Sequence, residues 1–223
     1  MTKINLRMVT TLSGTMGDTT FRTLSPGNIV MSDKAKLPSF EDEEEKEARD
    51  IRADQFGGVN ALVPFVLDAA RKGFPKRGRG QTAANLFTRH NMGTLCTSQP
   101  DEEGGFTRTY NFREMALSAG PLETPAVTAT VSTEERTVTF MLEAMSPEMQ
   151  SSLCNADDRV YGFVFDGVNL RGKLVELGTR GAGGEVPFTL PAAWSTEDLY
   201  AYAFARARHG RKASGTVLLY PAD

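Results

Sequence analysis

Two hydrophobic periods divide this chain. From Val127 onward apolar and polar residues alternate, whereas residues 42–91 carry apolar positions at helical spacing. Val127, Ala129 and Val131 alternate with threonines, as do Val138, Phe140 and Leu142, and Ser132-Thr-Glu-Glu135 links the runs as a hairpin. Val160–Phe165 is apolar on both faces, the pattern of a central strand. Leu170, Leu174 and Leu177, then Val186, Phe188 and Leu190, then Tyr200, Tyr202 and Phe204 continue the period, and 213–220 closes it. Seven or eight short strands predict an immunoglobulin- or fibronectin III-like sandwich. Trp194 is expected to plug one end of its core.

The earlier half reads differently. Ile4, Leu6 and Met8, then Phe21, Leu24 and 29–31, predict short strands. Ser39 and Asp42 form a cap pair for an acidic helix whose thin apolar stripe is Ala48, Ile51, Ala53 and Phe56. Gly57-Gly58 is expected to break that helix. Val59, Leu62, Val63, Val66, Leu67 and Ala70 predict a second, more buried helix, with Pro64 in its first turn and Gly73 at its end. Ala84, Phe87 and His90 predict a third, stopped by Gly93. Residues 97–109 read as a polar connector. Met115–Leu122 then alternates as the first strand of the sandwich, ended by Gly120-Pro121, and is expected to be the seam on which the helical half docks. The fold class is therefore α+β, with a strand-plus-helix region over 1–109 and a β-sandwich over 110–223.

Composition changes this picture little. The 223 residues are 40% hydrophobic and 24% charged, ordinary for a globular chain. A net charge of −3 gives no global attraction to nucleic acid or acidic membranes. Cys96 and Cys154 are far apart and read as free thiols. No apolar run reaches the length of a signal peptide or a membrane span, so cytoplasmic synthesis is expected.

Charge becomes informative locally. Residues 41–50 hold seven acids and two bases. Their helical setting, without an Asp-x-Asp-x-Asp-Gly loop, argues against calcium. Residues 71–80 hold five cations among glycine, proline and phenylalanine. This basic loop, with Arg71, Lys72, Lys76, Arg77, Arg79 and also Arg89, is the candidate contact for a nucleic acid or an acidic partner. Gly14 and Gly17 sit at phosphate-loop spacing, but no Lys-Ser/Thr follows, which leaves a tight turn. His90 and His209 have no metal-spaced neighbours, and no nucleophile elbow appears. No catalytic, cofactor-binding or metal residue is assigned, and an enzyme is not expected.

The motifs resemble, over nearly the full length, a large uncharacterised family of Bacteroidetes proteins. They are Ser13-Gly-Thr-Met-Gly17, Gly73-Phe74, Asn85-Leu-Phe87 with Asn91, Leu117-Ser-Ala-Gly-Pro-Leu122 and Leu190-Pro-Ala-Ala-Trp194. The resemblance implies a helical N-terminal half before an immunoglobulin-like half, and no activity. Gly14, Gly17, Gly120 and Trp194 are the expected structural positions. The function expected is a structural or protein-interaction module, a homo-oligomeric or virion-like assembly being one form of it. Nucleic-acid binding through the basic loop is the alternative, with carbohydrate binding on Tyr200, Tyr202 and Phe204 a further one.

Overall fold

A computed structural model describes residues 2–5, 14–25, 28–33, 42–75 and 78–221. It is α+β, mostly antiparallel sheet. The chain divides into compact units at Met1–Lys46 and Glu47–Asp223. That division does not coincide with a boundary at 109/110, because the helices that precede 109 share a core with strands that follow it.

The first unit is an antiparallel sheet of β1 (Thr2–Asn5), β2 (Gly14–Met16), β3 (Thr19–Ser25) and β4 (Asn28–Asp33), in the order β1-β4-β3-β2. Gly17-Asp18 turns β2 into β3, and Gly17 has φ +58°, a conformation glycine adopts without strain. The Gly14–Gly17 spacing is thus that of a hairpin. Leu6 and Met8 lie outside the described residues.

The second unit is layered. Its helices are α1 (Glu43–Ala61, which begins in the first unit), α2 (Val63–Gly73) and α3 (Ala83–Asn91). At the start of α1 the Glu44 N–H donates to Asp42 Oδ1 at 3.0 Å; Ser39 lies outside the described residues. Gly57-Gly58 does not break α1. A Cβ on Gly58 would stand 2.6 Å from Cys96 Sγ, so this glycine lets the helix press against the next layer. The break falls at Leu62, because Pro64 has no N–H to continue the ladder and is accommodated in the first turn of α2. Thr82 caps α3, its Oγ1 accepting from Asn85 N at 3.1 Å.

The expected polar connector is instead a hairpin of β5 (Cys96–Pro100) and β6 (Phe106–Tyr110). Few of its side chains are buried, so hydrophobic alternation could not mark it. It is held to α1 by Asp54, which accepts from Arg108 Nε (2.9 Å) and Nη2 (2.6 Å) and from Ser98 Oγ (2.7 Å). Those bonds, Arg108 first, hold the Asp54 carboxyl below its usual range. Arg108→Lys keeps the charge but loses the bidentate fork. It is expected to cost about 1 kcal/mol in urea unfolding.

Seven strands complete the unit. One sheet runs β11 (Gly184–Thr189), β8 (Thr137–Leu142), β7 (Val127–Ser132); the other runs β10 (Arg171–Thr179), β9 (Arg159–Asp166), β12 (Leu199–Arg206), β13 (Val217–Tyr220). The second sheet is central and buries both faces. Tyr161, Phe163, Phe165, Tyr202 and Phe204 pack among Leu62, Val66, Phe87 and Leu95 of the helical layer. Val160, Val164, Ala201, Ala203 and Ala205 pack against Val138, Phe140 and Leu142 of the other sheet. Large side chains therefore point to the helices and small ones to the sheet, which lets the β-layers approach. Gly162 is the extreme case, since a Cβ there would meet the Phe140 ring at 2.9 Å. The face of Tyr200, Tyr202 and Phe204 is thus core packing, which removes the sugar platform weighed there as an alternative.

Met115–Leu122 is not a strand; only Leu122 forms a bridge, parallel, with Ser214. Its backbone is satisfied by other means. Asn91, fully buried, accepts from Ala116 N and donates to Ala116 O, both at 2.8 Å. Thr216 Oγ1 accepts from Leu117 N (2.8 Å) and Ser118 N (2.9 Å). Ala119 N donates to Gly73 O at the end of α2 (3.3 Å), and Leu122 N to Ala213 O (2.9 Å). The stretch joins α2, α3 and the approach to β13 without entering a ladder.

Candidate functional site: a basic groove beside the edge strand β10

The cations expected to act together are only partly neighbours. Arg71 and Lys72 lie in the last turn of α2, where positive charge opposes the negative end of the helix dipole. Arg79 is exposed in the following turn and Arg89 is exposed on α3; neither lines the groove that contains Arg71 and Lys72. Lys76 and Arg77 lie outside the described residues.

The groove's other wall is β10. Gly172 brings that strand against the helix, because a Cβ would lie 2.4 Å from both Phe65 O and the Phe163 ring. Its neighbours Arg171 and Lys173 are exposed and line the groove at the open edge of the sheet, on the face of β10 opposite to the one Gly172 turns to α2. The opening, about 550 Å³, is lined by Phe65, Asp68, Arg71 and Lys72 from α2, by Arg171 to Leu174, and by Trp194. Among the described residues the lining holds two cations of α2, two of β10 and one carboxylate. Asp68 Oδ1 stands 3.5 Å from Arg71 Nη1, and Lys72 Nζ lies 5.5 Å from the centre of the Tyr161 ring. Arg171 and Lys173 form no salt bridge among the described residues. Like charges gathered at one surface repel until an anion joins them, so the groove is set up to bind negative charge.

Arg171 and Lys173 escaped the sequence reading. Their signal is two cations two residues apart on a predicted strand, which places both on one face. The register turns that face away from α2, so they line the groove only across the open edge of the sheet, which nothing in the sequence foretells.

The turn leading into β10 is built on Asp166, which is fully buried. Its Oδ1 accepts from Val168 N and Asn169 N, both at 3.0 Å; its Oδ2 accepts from Asn169 Nδ2 (2.9 Å) and Ser195 N (2.8 Å). Burial acts to raise this carboxyl, but the bonds from Asn169, Ser195 and Val168 outweigh it and the net shift is downward. Trp194 sits beside this hub, mostly buried and edge-on to Phe188. Arg136 Nη2 donates to Pro191 O (2.9 Å) and Trp194 O (2.7 Å), fixing the segment that carries the indole.

The chain matches no family model, no curated protein and no solved structure.

The remaining reactive side chains are placed apart from the groove. His90 stacks on Phe74 at 5.2 Å, and His209 is exposed in the turn before Gly210. Cys96 and Cys154 are free and buried, and burial pushes both thiols up, away from the thiolate. Cys154 Sγ lies 3.3 Å from Met145 Sδ beside a cavity of about 110 Å³. Among the described residues no three His, Cys, Asp or Glu side chains converge as metal ligands. Among them, too, no helix is long and apolar enough to cross a membrane.

Proposed function

We propose that the protein is a non-enzymatic interaction module in which an immunoglobulin/fibronectin III-like sandwich presents the groove beside β10 to an acidic protein partner. The observation that carries this reading is the set of four cations, Arg71, Lys72, Arg171 and Lys173, among the lining of an open groove whose described residues include a single carboxylate. The strand order supports the sandwich part. Strands 7, 8 and 11 form one sheet and strands 9, 10, 12 and 13 the other, so the chain changes sheets at β8–β9, β10–β11 and β11–β12, as Greek-key sandwiches do. The groove's chemistry supports binding rather than bond-making: its one acidic side chain, Asp68, is exposed and tied to Arg71.

A protein partner is favoured over a nucleic acid by the small number of cations, since four supply few phosphate contacts. Of the lining rings, Phe163 is 1% exposed and Trp194 9%, and only Phe65, at 39%, is open enough to stack on a base. The test is anisotropy with a labelled oligoglutamate peptide at low salt. Binding should weaken at least about tenfold in R171E/K173E and fall as salt rises. Equal binding by wild type and variant would overturn the groove as the site. Tighter binding of a single-stranded oligonucleotide, with a steep salt dependence, would select the nucleic-acid reading instead.

A further inference from the structure

We infer that the acidic partner is a second copy of this chain, docking the exposed acidic start of its α1 into the groove; this rests on the reading of the groove as an anion site. Asp42–Glu47 carries five carboxylates and one lysine, and all six residues are exposed. Among the described residues, Glu43 is the one member of this segment paired to a cation, Lys46 at 3.6 Å, and Glu44, Glu45 and Glu47 are exposed. The groove presents the complementary excess, four cations to one carboxylate. Among the described residues its Arg171 and Lys173 form no salt bridge, and neither do the three glutamates on the other side. Opposite charges arranged this way steer encounter and set register.

Glu44, Glu45 and Glu47 are not among the residues that line the groove. Donor and acceptor surfaces are different patches of one molecule, so the contact is heterologous and propagates from copy to copy into an open chain or a ring.

The test is the solution mass by light scattering, with the intact chain at rising concentration in low and high salt. Wild type is expected to exceed the monomer mass at least twofold at low salt and to return to it at high salt. E44K/E45K/E47K alone and R171E/K173E alone should each stay monomeric. Their equimolar mixture should associate again, because the reversed segment of one matches the reversed groove of the other. A wild type that stays monomeric throughout, or association unchanged in either variant, overturns the inference. The oligoglutamate peptide separates the two levels. A monomeric wild type that still binds the peptide through Arg171 and Lys173 defeats self-docking and spares the groove. A wild type that does neither defeats both. Melting curves of the variants, with R171Q/K173Q as a gentler pair, show that the fold is retained.

Discussion

Asp166→Ala should lower the thermal midpoint by about 10 °C. The carboxylate takes four hydrogen bonds at a fully buried position, from the Val168 and Asn169 amides, the Asn169 side chain and the Ser195 amide. Alanine removes all four acceptor contacts and leaves backbone donors unpaired beside the core. Unsatisfied buried donors cost about 1–3 kcal/mol each. A total near 4 kcal/mol is reasonable for a hub of this kind, and in a unit this size each kcal/mol moves the midpoint by about 2–4 °C. Differential scanning calorimetry measures it; a shift under about 3 °C would show that the hub is not holding the turn. The effect reaches the groove, because Asp166 orders both the turn that launches β10 and the segment carrying Trp194. Peptide affinity should therefore fall in this variant along with stability.

Acid should act on the same hub. The folded carboxyl lies below its ordinary value, so its stabilising contribution is complete above the unfolded pKa, about 3.9. It is lost as pH falls from there through the depressed folded value. Asp54, depressed by Arg108 and Ser98, adds in the same direction. Wild type should thus lose midpoint below about pH 4 more steeply than Asp166→Asn, which cannot titrate. Parallel curves for the two proteins would contradict the assignment.

Gly120→Val should be the other severe change. Gly120 has an ordinary backbone conformation, so the constraint is space. A Cβ there would stand 2.3 Å from Ala213 O and 3.0 Å from Ala213 N and C. Ala213 O is also the acceptor for Leu122 N, so relief by shifting the backbone would break the link between this stretch and the approach to β13. Overpacking against backbone costs about 3 kcal/mol, a midpoint loss of roughly 8 °C. Thr128→Ser, exposed on β7, should stay within about 0.5 kcal/mol of wild type. Equal midpoints for the two would refute the seam.

Much of the architecture was legible residue by residue. Strong alternation marked β7 and β8 and the hairpin between them, and the doubly apolar run at 160–165 identified β9 as central. Pro64 and Gly93 marked helix ends through local chemistry that neighbours do not alter; the Thr82 cap was equally local but went unread. The misreadings share a cause. Gly58 was read as a breaker because its local cost is visible and the Cys96 sulfur it makes room for is 38 residues away. Hairpin β5–β6 was invisible because Asp54, not a hydrophobic face, holds it. Met115–Leu122 has a strand's alternation, but its amides are taken by Asn91 and Thr216, so no ladder forms.

The candidate site divides along the same line. Arg71 and Lys72 were legible as the basic end of a helix, and Asp42–Glu47 as its acidic counterpart, because charge and helical period are local properties. That Arg171 and Lys173 line the groove follows only from Gly172, whose missing side chain lets the edge strand β10 close on Phe65 while its cations stand on the opposite face of that edge. Sequence alone determined which segments are helical, which alternate and where charge is concentrated, since each depends on residues within a turn or two. Tertiary structure decided which charges share a surface, because that depends on the approach of backbones about a hundred residues apart.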